Sequence, residues 1–258
     1  KSEIVMLHAV TPLSYSAGML EGSYVPANLN DLLKELLRLA QKKLDQALGP
    51  ELNGLAVRRL LVEGDPARTI VQTARDEKVD LIVMPTHGYG AFRRFLLGSV
   101  TSKVLHDCEC PVWTGAHLEE GPAREFAIRK VLCAIDLGAH SQKTMQWAAQ
   151  LAAEFGARIT LAHITAGVDV YGPDGFNYGP AWKEALIRSA AQQIAKLQEE
   201  LGIKAEVFIE SGDVPNLLDQ AAKRNEADVL VIGRPTHGRL RATGYGIIRE
   251  SRVPVLSV

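Results

Sequence analysis

The residues best suited to chemistry lie in a glycine-containing turn in the first half of the chain. Gly88 is followed after nine residues by the pair Gly98-Ser99, and then by VTSKVLHD, a segment with helical period. Glycines let a backbone approach a ligand closely, and Ser99 can cap a helix whose free N–H groups attract an anion. The spacing is therefore consistent with a phosphate site, although Gly-Ser before a helix is also ordinary punctuation.

The element that positions this turn is a predicted strand. The turn follows directly on the apolar run DLIVM, which is typical of a buried strand. In open α/β sheets, ligands bind beyond the carboxyl ends of the strands. The place of the turn in the chain therefore favours binding.

A similar strand and turn occur again later in the chain, because the chain is built from two copies of one α/β unit. EIVMLHAVTP from Glu3 corresponds to RITLAHITAG from Arg158, and DLIVMPTHG from Asp80 corresponds to DVLVIGRPTHG from Asp228. In each copy, short Val- and Ile-rich runs alternate with longer segments of helical period, which indicates βα units and a parallel sheet. For the second copy we predict strands near 129–136, 158–165, 205–210, 228–233 and 254–258, and helices near 141–155, 181–201, 215–226 and 244–251.

The fold class expected is α/β, with two flavodoxin-like, Rossmann-like doubly wound parallel-sheet domains in tandem, 1–116 and 127–258. The first copy lacks an equivalent of 129–157, which forms the opening strand and helix of the second. In a flavodoxin-like order that strand lies inside the sheet, so we expect the first sheet to be broken in the middle. We also expect a further N-terminal segment, or another chain, to supply the strand.

Composition excludes several classes of function. Lys plus Arg number 29 against 30 Asp plus Glu, giving a net charge of −1, which argues against nucleic acid as a partner. No apolar run is long enough to span a bilayer, so no membrane partner is expected. The three cysteines, Cys108, Cys110 and Cys133, are an odd number without a disulfide-framework spacing, which fits a cytoplasmic protein. No metal site is predicted from the lone C-x-C.

The pattern of strand, G-x2-G-x9-G-[ST], helix, CPV and final strand, with GDP after an earlier strand, resembles the universal stress protein family in its tandem form. The resemblance covers essentially the whole chain. It implies that the first domain binds ATP or a related adenine nucleotide, with or without Mg²⁺, as a regulatory ligand in a stress response.

Carried onto this sequence, the resemblance implies that Gly88, Gly98 and Ser99 face the phosphates, beside the Val100 amide. Pro85 takes the place of the family's first glycine and has no N–H to donate. The residues predicted to bind the nucleotide in the first domain are Pro85, His87, Gly88, Gly98, Ser99 and Val100.

The second copy departs from the pattern in the opposite way. Its first strand ends at Asp136, where the family has a carboxylate that contacts the ribose. From the motif glycine to the CPV-type proline the chain takes 23 residues in the first copy, Gly88 to Pro111, but 16 in the second, Gly238 to Pro254. No Gly-Ser pair follows Gly238 at the required spacing, so the second domain is predicted to be mainly structural.

Two other functions are left open. One is a scaffold or interaction protein that binds no nucleotide. The other is a slow ATP hydrolase that uses His87, or an Asp of the first strand that the first copy lacks. No catalytic residue is predicted, because the chain has no Ser-His-Asp order and no P-loop lysine. By resemblance, the final strands PVWTG and PVLSV are expected to pair within the chain as a pseudo-dimer, and a homodimer is left open.

Overall fold

The computed structural model describes residues 2–11, 29–87, 97–115, 127–165, 167, 179–234 and 239–258. The chain divides into two compact units, Lys1–Val79 and Asp80–Val258. These units do not coincide with the two repeats of the sequence, whose limits at 1–116 and 127–258 stay a prediction. Among the described residues, no helix is both long enough and apolar enough to cross a membrane.

The described residues of the first unit form two strands and two helices. In chain order they are β1 (Glu3–Val10), α1 (Leu29–Gln46), β2 (Ala56–Glu63) and α2 (Pro66–Asp76). The strands are parallel and pair from Glu3 with Ala56 to Val10 with Glu63. Asp65 caps α2, because its carboxylate accepts a hydrogen bond of 2.9 Å from the amide of Arg68.

The second unit holds the other strands and helices. They are β3 (Ile82–Met84), α3 (Ser99–Asp107), β4 (Val112–Thr114), β5 (Lys130–Ala134), α4 (Ser141–Phe155), β6 (Arg158–Thr165), α5 (Gly179–Leu201), β7 (Glu206–Ser211), α6 (Val214–Arg224), β8 (Val229–Ile232), α7 (Arg239–Glu250) and β9 (Val255–Ser257). The predicted limits of α4 and β6 match the structure, whereas α7 begins five residues before the predicted 244.

The strands of the second unit form one sheet in the order β3-β4-β9-β8-β5-β6-β7. The five strands of the second copy are mutually parallel, and their first strand, β5, lies at the centre between β8 and β6. Counted within the second copy, the order is 3-2-1-4-5, which is Rossmann-like, and the first strand lies inside the sheet as predicted. Leu132 and Cys133 are neighbours on β5, so their side chains point to opposite faces of the sheet. Both are 0% exposed, as expected for a parallel sheet covered on both faces.

The two final strands pair with each other, as predicted. β4 runs antiparallel to β9, with Val112 opposite Ser257 and Thr114 opposite Val255. Thr114 adds a side-chain bond, since its Oγ1 donates to the carbonyl of Val255. This pairing joins the last strands of the two copies into one continuous sheet.

The predicted break in the sheet is also present. β1 and β2 form a sheet of their own, and β3 is the end strand of the seven-stranded sheet. Val83 on β3 is therefore 71% exposed, whereas Val231, its counterpart in the second copy, is 0% exposed. Equivalent sequences thus meet different surroundings in the two copies.

Candidate functional site

Hydrogen bonds join the two ends of the predicted phosphate-binding turn. The amide of Gly98 donates to the carbonyl of Thr86 over 2.8 Å. The side chain of Thr101 donates to the carbonyl of Pro85 over 3.0 Å, which ties the first turn of α3 to the end of β3. Gly88 and the rest of 88–96 lie outside the described residues.

Glycine at position 98 is required by this close approach. A Cβ added there would lie 3.3 Å from the Cα of His87 and 3.3 Å from the carbonyl oxygen of Thr86. Both neighbours are backbone atoms, which cannot move aside as a flexible side chain could. The glycine therefore lets the two ends of the turn close against each other.

The start of α3 differs in one detail from the sequence prediction. Gly98, not Ser99, is the N-cap residue, and no side chain bonds to the cap. Ser99 is the first residue inside the helix and is exposed. The prediction that Ser99 caps the helix was wrong by one position, because the extended conformation of Gly98 already ends the turn. The first amides of a helix have no acceptor within it, so those of Ser99 and Val100 are suited to an anion.

His87 and Pro85 hold the other side of the turn. Nδ1 of His87 lies 3.0 Å from the hydroxyl of Thr86, and Thr86 is itself buried. Pro85 is exposed, and its carbonyl accepts the bond from Thr101. Proline can accept this bond although it has no N–H. The structure thus brings Pro85, His87, Gly98, Ser99 and Val100 together at one turn.

A cavity of about 510 Å³ lies in the second copy, at the carboxyl ends of β5, β6 and β8. Its volume is within the range of small-molecule sites, roughly 300–1,000 Å³. Much of its wall is apolar, and α5, α6 and α7 close it with Leu186, Ala190, Leu218 and Ile247. The sequence predicted that this copy is mainly structural and did not predict a cavity in it.

Two polar side chains stand at the strand ends of this cavity. Asp136 is exposed and accepts two hydrogen bonds on the same oxygen, Oδ1, from the amide of Gly138 and the hydroxyl of Ser141. His163 is buried, and its Nδ1 donates to the carbonyl of Ile135 over 2.8 Å. In the neutral ring that bond leaves Nε2 as an acceptor.

Comparison with known proteins identifies the family. The sequence model of the universal stress protein family matches residues 1–114 and 127–258. The chain belongs to the universal stress protein family. A universal stress protein of Mycolicibacterium smegmatis is 27% identical over 250 residues, covering 93% of this chain and 79% of the relative. One from Methanocaldococcus jannaschii is 35% identical over 111 residues, which are 43% of this chain and 63% of that relative's length.

A solved universal stress protein from Archaeoglobus fulgidus shares the fold of this member of the family, with a TM-score of 0.66 and 22% identity. The match covers 100% of this chain and 85% of that one. Two sites therefore need explanation in this universal stress protein. The first-copy turn carries the predicted motif, and the second-copy cavity carries Asp136.

Sequence reasoning missed most of the cavity wall. Neither His163 nor the small residues of α5 belong to a sequence motif. The one usable signal was the repeated histidine, His8 in the first copy and His163 in the second. His8 is exposed, and among the described residues β1 pairs with β2 alone. The carbonyl that binds His163 directly follows β5.

Proposed function

We propose that this universal stress protein binds ATP or a related adenine nucleotide as a regulatory ligand, with the phosphates held at the first-copy turn. The observation that carries the proposal is the start of α3, which has a glycine at the N-cap and no side chain bonded there. Membership of the family supports the choice of ligand. The part played by Gly88 stays a prediction.

The chemistry proposed for the turn is electrostatic. The amides of Ser99 and Val100, at the positive end of the helix dipole, would donate to phosphate oxygens, and the Ser99 hydroxyl would add a third donor. Such charge-assisted bonds contribute roughly 1.5–3 kcal/mol each. No group at the turn is assigned to bond cleavage, so the role proposed is binding.

A second candidate is a nucleoside site in the second-copy cavity. Both recorded bonds to Asp136 fall on Oδ1, which leaves Oδ2 to accept from the hydroxyls of a ribose. Nε2 of His163 would accept from an exocyclic amine, and the apolar wall suits a flat base. The shorter connection after Gly238 favours a ligand without a triphosphate.

The first experiment compares thermal melting of the full chain with and without Mg-ATP. A ligand at about 100 times its Kd stabilises the folded state by roughly 2.7 kcal/mol. Ser99→Pro tests the turn sharply, since proline is favoured at the first helical position and the extended conformation of Gly98, with φ −60° and ψ 144°, suits the residue before a proline. The variant removes one N–H and one hydroxyl while keeping the helix.

We expect ATP to raise the melting temperature of the parent, and its affinity to fall about tenfold to hundredfold in Ser99→Pro. Ser99→Ala, which loses only the hydroxyl, should lie between them. Ala190→Leu, which fills the second-copy cavity, is the matched control and should bind ATP as the parent does.

The same variants separate the two candidates. If the cavity is the site, adenosine should stabilise the parent as well as ATP does, and Ala190→Leu should abolish the effect while Ser99→Pro leaves it unchanged. Absence of any shift with either ligand would refute both proposals and favour a scaffold that binds no nucleotide.

A further inference from the structure

Two thiols face each other between α3 and β4, away from both candidate sites. Cys108 follows the last residue of α3, and Cys110 lies two residues later, before β4. Their sulfur atoms are 3.2 Å apart, and both residues are partly buried. A disulfide has an S–S distance of about 2.05 Å, so only about 1 Å of movement would join them.

An arginine from the second copy holds this turn in place. Nη1 of Arg234, which lies two residues after β8, donates to the carbonyl of Cys108 over 3.0 Å, and Nη2 donates to that of Cys110 over 2.7 Å. Nη2 also lies 3.4 Å from the carbonyl of Glu109. A planar guanidinium that bonds several carbonyls fixes the backbone on both sides of the thiol pair.

The surroundings divide the roles of the two thiols. The hydrogen bond from the Cys110 side chain lowers the pKa of the Cys108 thiol to about 6, and the nearby Arg234 charge acts in the same direction. Donation of that bond and burial raise the pKa of the Cys110 thiol. Backbone hydrogen bonds at Cys110 and Glu109 also lower the pKa of the Cys108 thiol, whereas burial raises it.

The third cysteine provides a contrast within the chain. Cys133 is 0% exposed on the central strand β5, and burial raises the pKa of its thiol. Among the described residues, no group of three His, Cys, Asp or Glu side chains is placed to hold a metal ion. The pair therefore has the features of a redox-active dithiol, a reactive thiolate beside a resolving thiol.

We propose that Cys108 and Cys110 form a peroxide-reactive dithiol that closes to an intramolecular disulfide. The Cys108 thiolate attacks one peroxide oxygen, the O–O bond breaks, and the hydroxide released takes a proton to become water. Sγ of Cys110 then attacks the sulfenic acid sulfur of Cys108, and the displaced hydroxide leaves as water with the proton of Cys110. In total, two thiols and one hydrogen peroxide give one disulfide and two waters.

The test treats the reduced full chain with hydrogen peroxide, then blocks the remaining thiols with iodoacetamide in denaturant, so that the buried Cys133 is reached. The tryptic peptides are mapped by mass spectrometry. Cleavage after Lys103 and Arg124 places both thiols in one peptide, 104–124, while Cys133 falls in another, 131–143. We expect peptide 104–124 to lose the mass of two hydrogen atoms and carry no alkyl group. Cys133 should be alkylated fully.

Single variants test the assigned order. In Cys110→Ser, Cys108 should accumulate as a sulfenic acid that dimedone traps, and in Cys108→Ser neither the peptide nor Cys110 should react. Cys133→Ser is the control and should oxidise like the parent. Circular dichroism establishes that each variant is folded.

The rate of alkylation of Cys108 as a function of pH distinguishes a reactive thiolate from two thiols that are merely close together. Alkylation of Cys108 should fall only about twofold between pH 8 and pH 6, whereas a thiol with a pKa of about 8.5 would fall about eightyfold. Alkylation of both cysteines in 104–124 after peroxide, oxidation confined to Cys133, or disulfides formed only between chains would each overturn the proposal.

Discussion

The contrast between Val83 and Val231 gives the sharpest test of how the two copies differ. Both residues occupy the third apolar position of the repeated strand, in DLIV and DVLV. Val231 lies between Cys133 on β5 and Leu256 on β9. Val83 is paired with Trp113 of β4 and, within the described part of the chain, with no second strand. We expect truncation to alanine to destabilise the protein strongly at Val231 and weakly at Val83.

The expected size of each effect follows from burial. Removing two methyl groups from the fully buried Val231 loses about 1.6 kcal/mol of transfer free energy, and the cavity left in a rigid sheet adds about 1 kcal/mol. For Val83, at 71% exposure, the transfer loss is about 0.5 kcal/mol and no cavity forms. The free energies of unfolding should therefore differ by about 2 kcal/mol.

Tryptophan fluorescence in urea is the appropriate measurement. The three tryptophans of the chain, Trp113, Trp147 and Trp182, all belong to the unit Asp80–Val258, so the signal follows the unit that holds both valines. An unchanged slope against urea would establish that the midpoint shift reports stability. Equal losses at the two positions would refute the reasoning, since they would mean that Val83 is covered.

Other predictions concern polar contacts. Arg234→Met should lower the free energy of unfolding by about 2 kcal/mol in the same urea assay, because it removes the bonds to the carbonyls of Cys108 and Cys110; relief of the desolvation of the guanidinium offsets part of the loss. Arg188→Met, which breaks an exposed ion pair, should lower it by less than about 0.5 kcal/mol. Equal losses would contradict the role given to Arg234 in holding the turn of the two thiols. Asp213→Ala should cost about 1 kcal/mol by removing the cap of α6, and Asp213→Asn should recover most of it.

The second copy could be predicted well from sequence because its local signals agree with its tertiary surroundings. A segment of helical period and the short apolar run that follows it have the limits observed for α4 and β6. Asp213 lies one residue before α6 and accepts from the amide of Asn216, as Asp residues at helix starts commonly do. The place of the first strand inside the sheet followed from the doubly wound βα pattern.

The surroundings of the first copy and the details of both sites could not be predicted in this way. The exposure of Val83 depends on which strand is absent beside it, and the sequence of β3 is as apolar as that of β8. Gly98 is the N-cap of α3 because its backbone is extended. The residue types Gly98 and Ser99 do not by themselves show which of the two is the N-cap. The cavity is lined by residues from four helices, α4 to α7, and from the ends of the strands. Arg234 reaches residues about 125 positions away.

The antiparallel pairing of β4 with β9 has a consequence for assembly. Three residue pairs form a small contact, and between separate chains such a contact would depend on protein concentration. When both strands belong to one chain, their pairing is intramolecular. The effective concentration of one strand for the other is then in roughly the millimolar range, whatever the concentration of the protein. The sheet that joins the two copies should therefore survive dilution unchanged, and the level of expression would not control its formation.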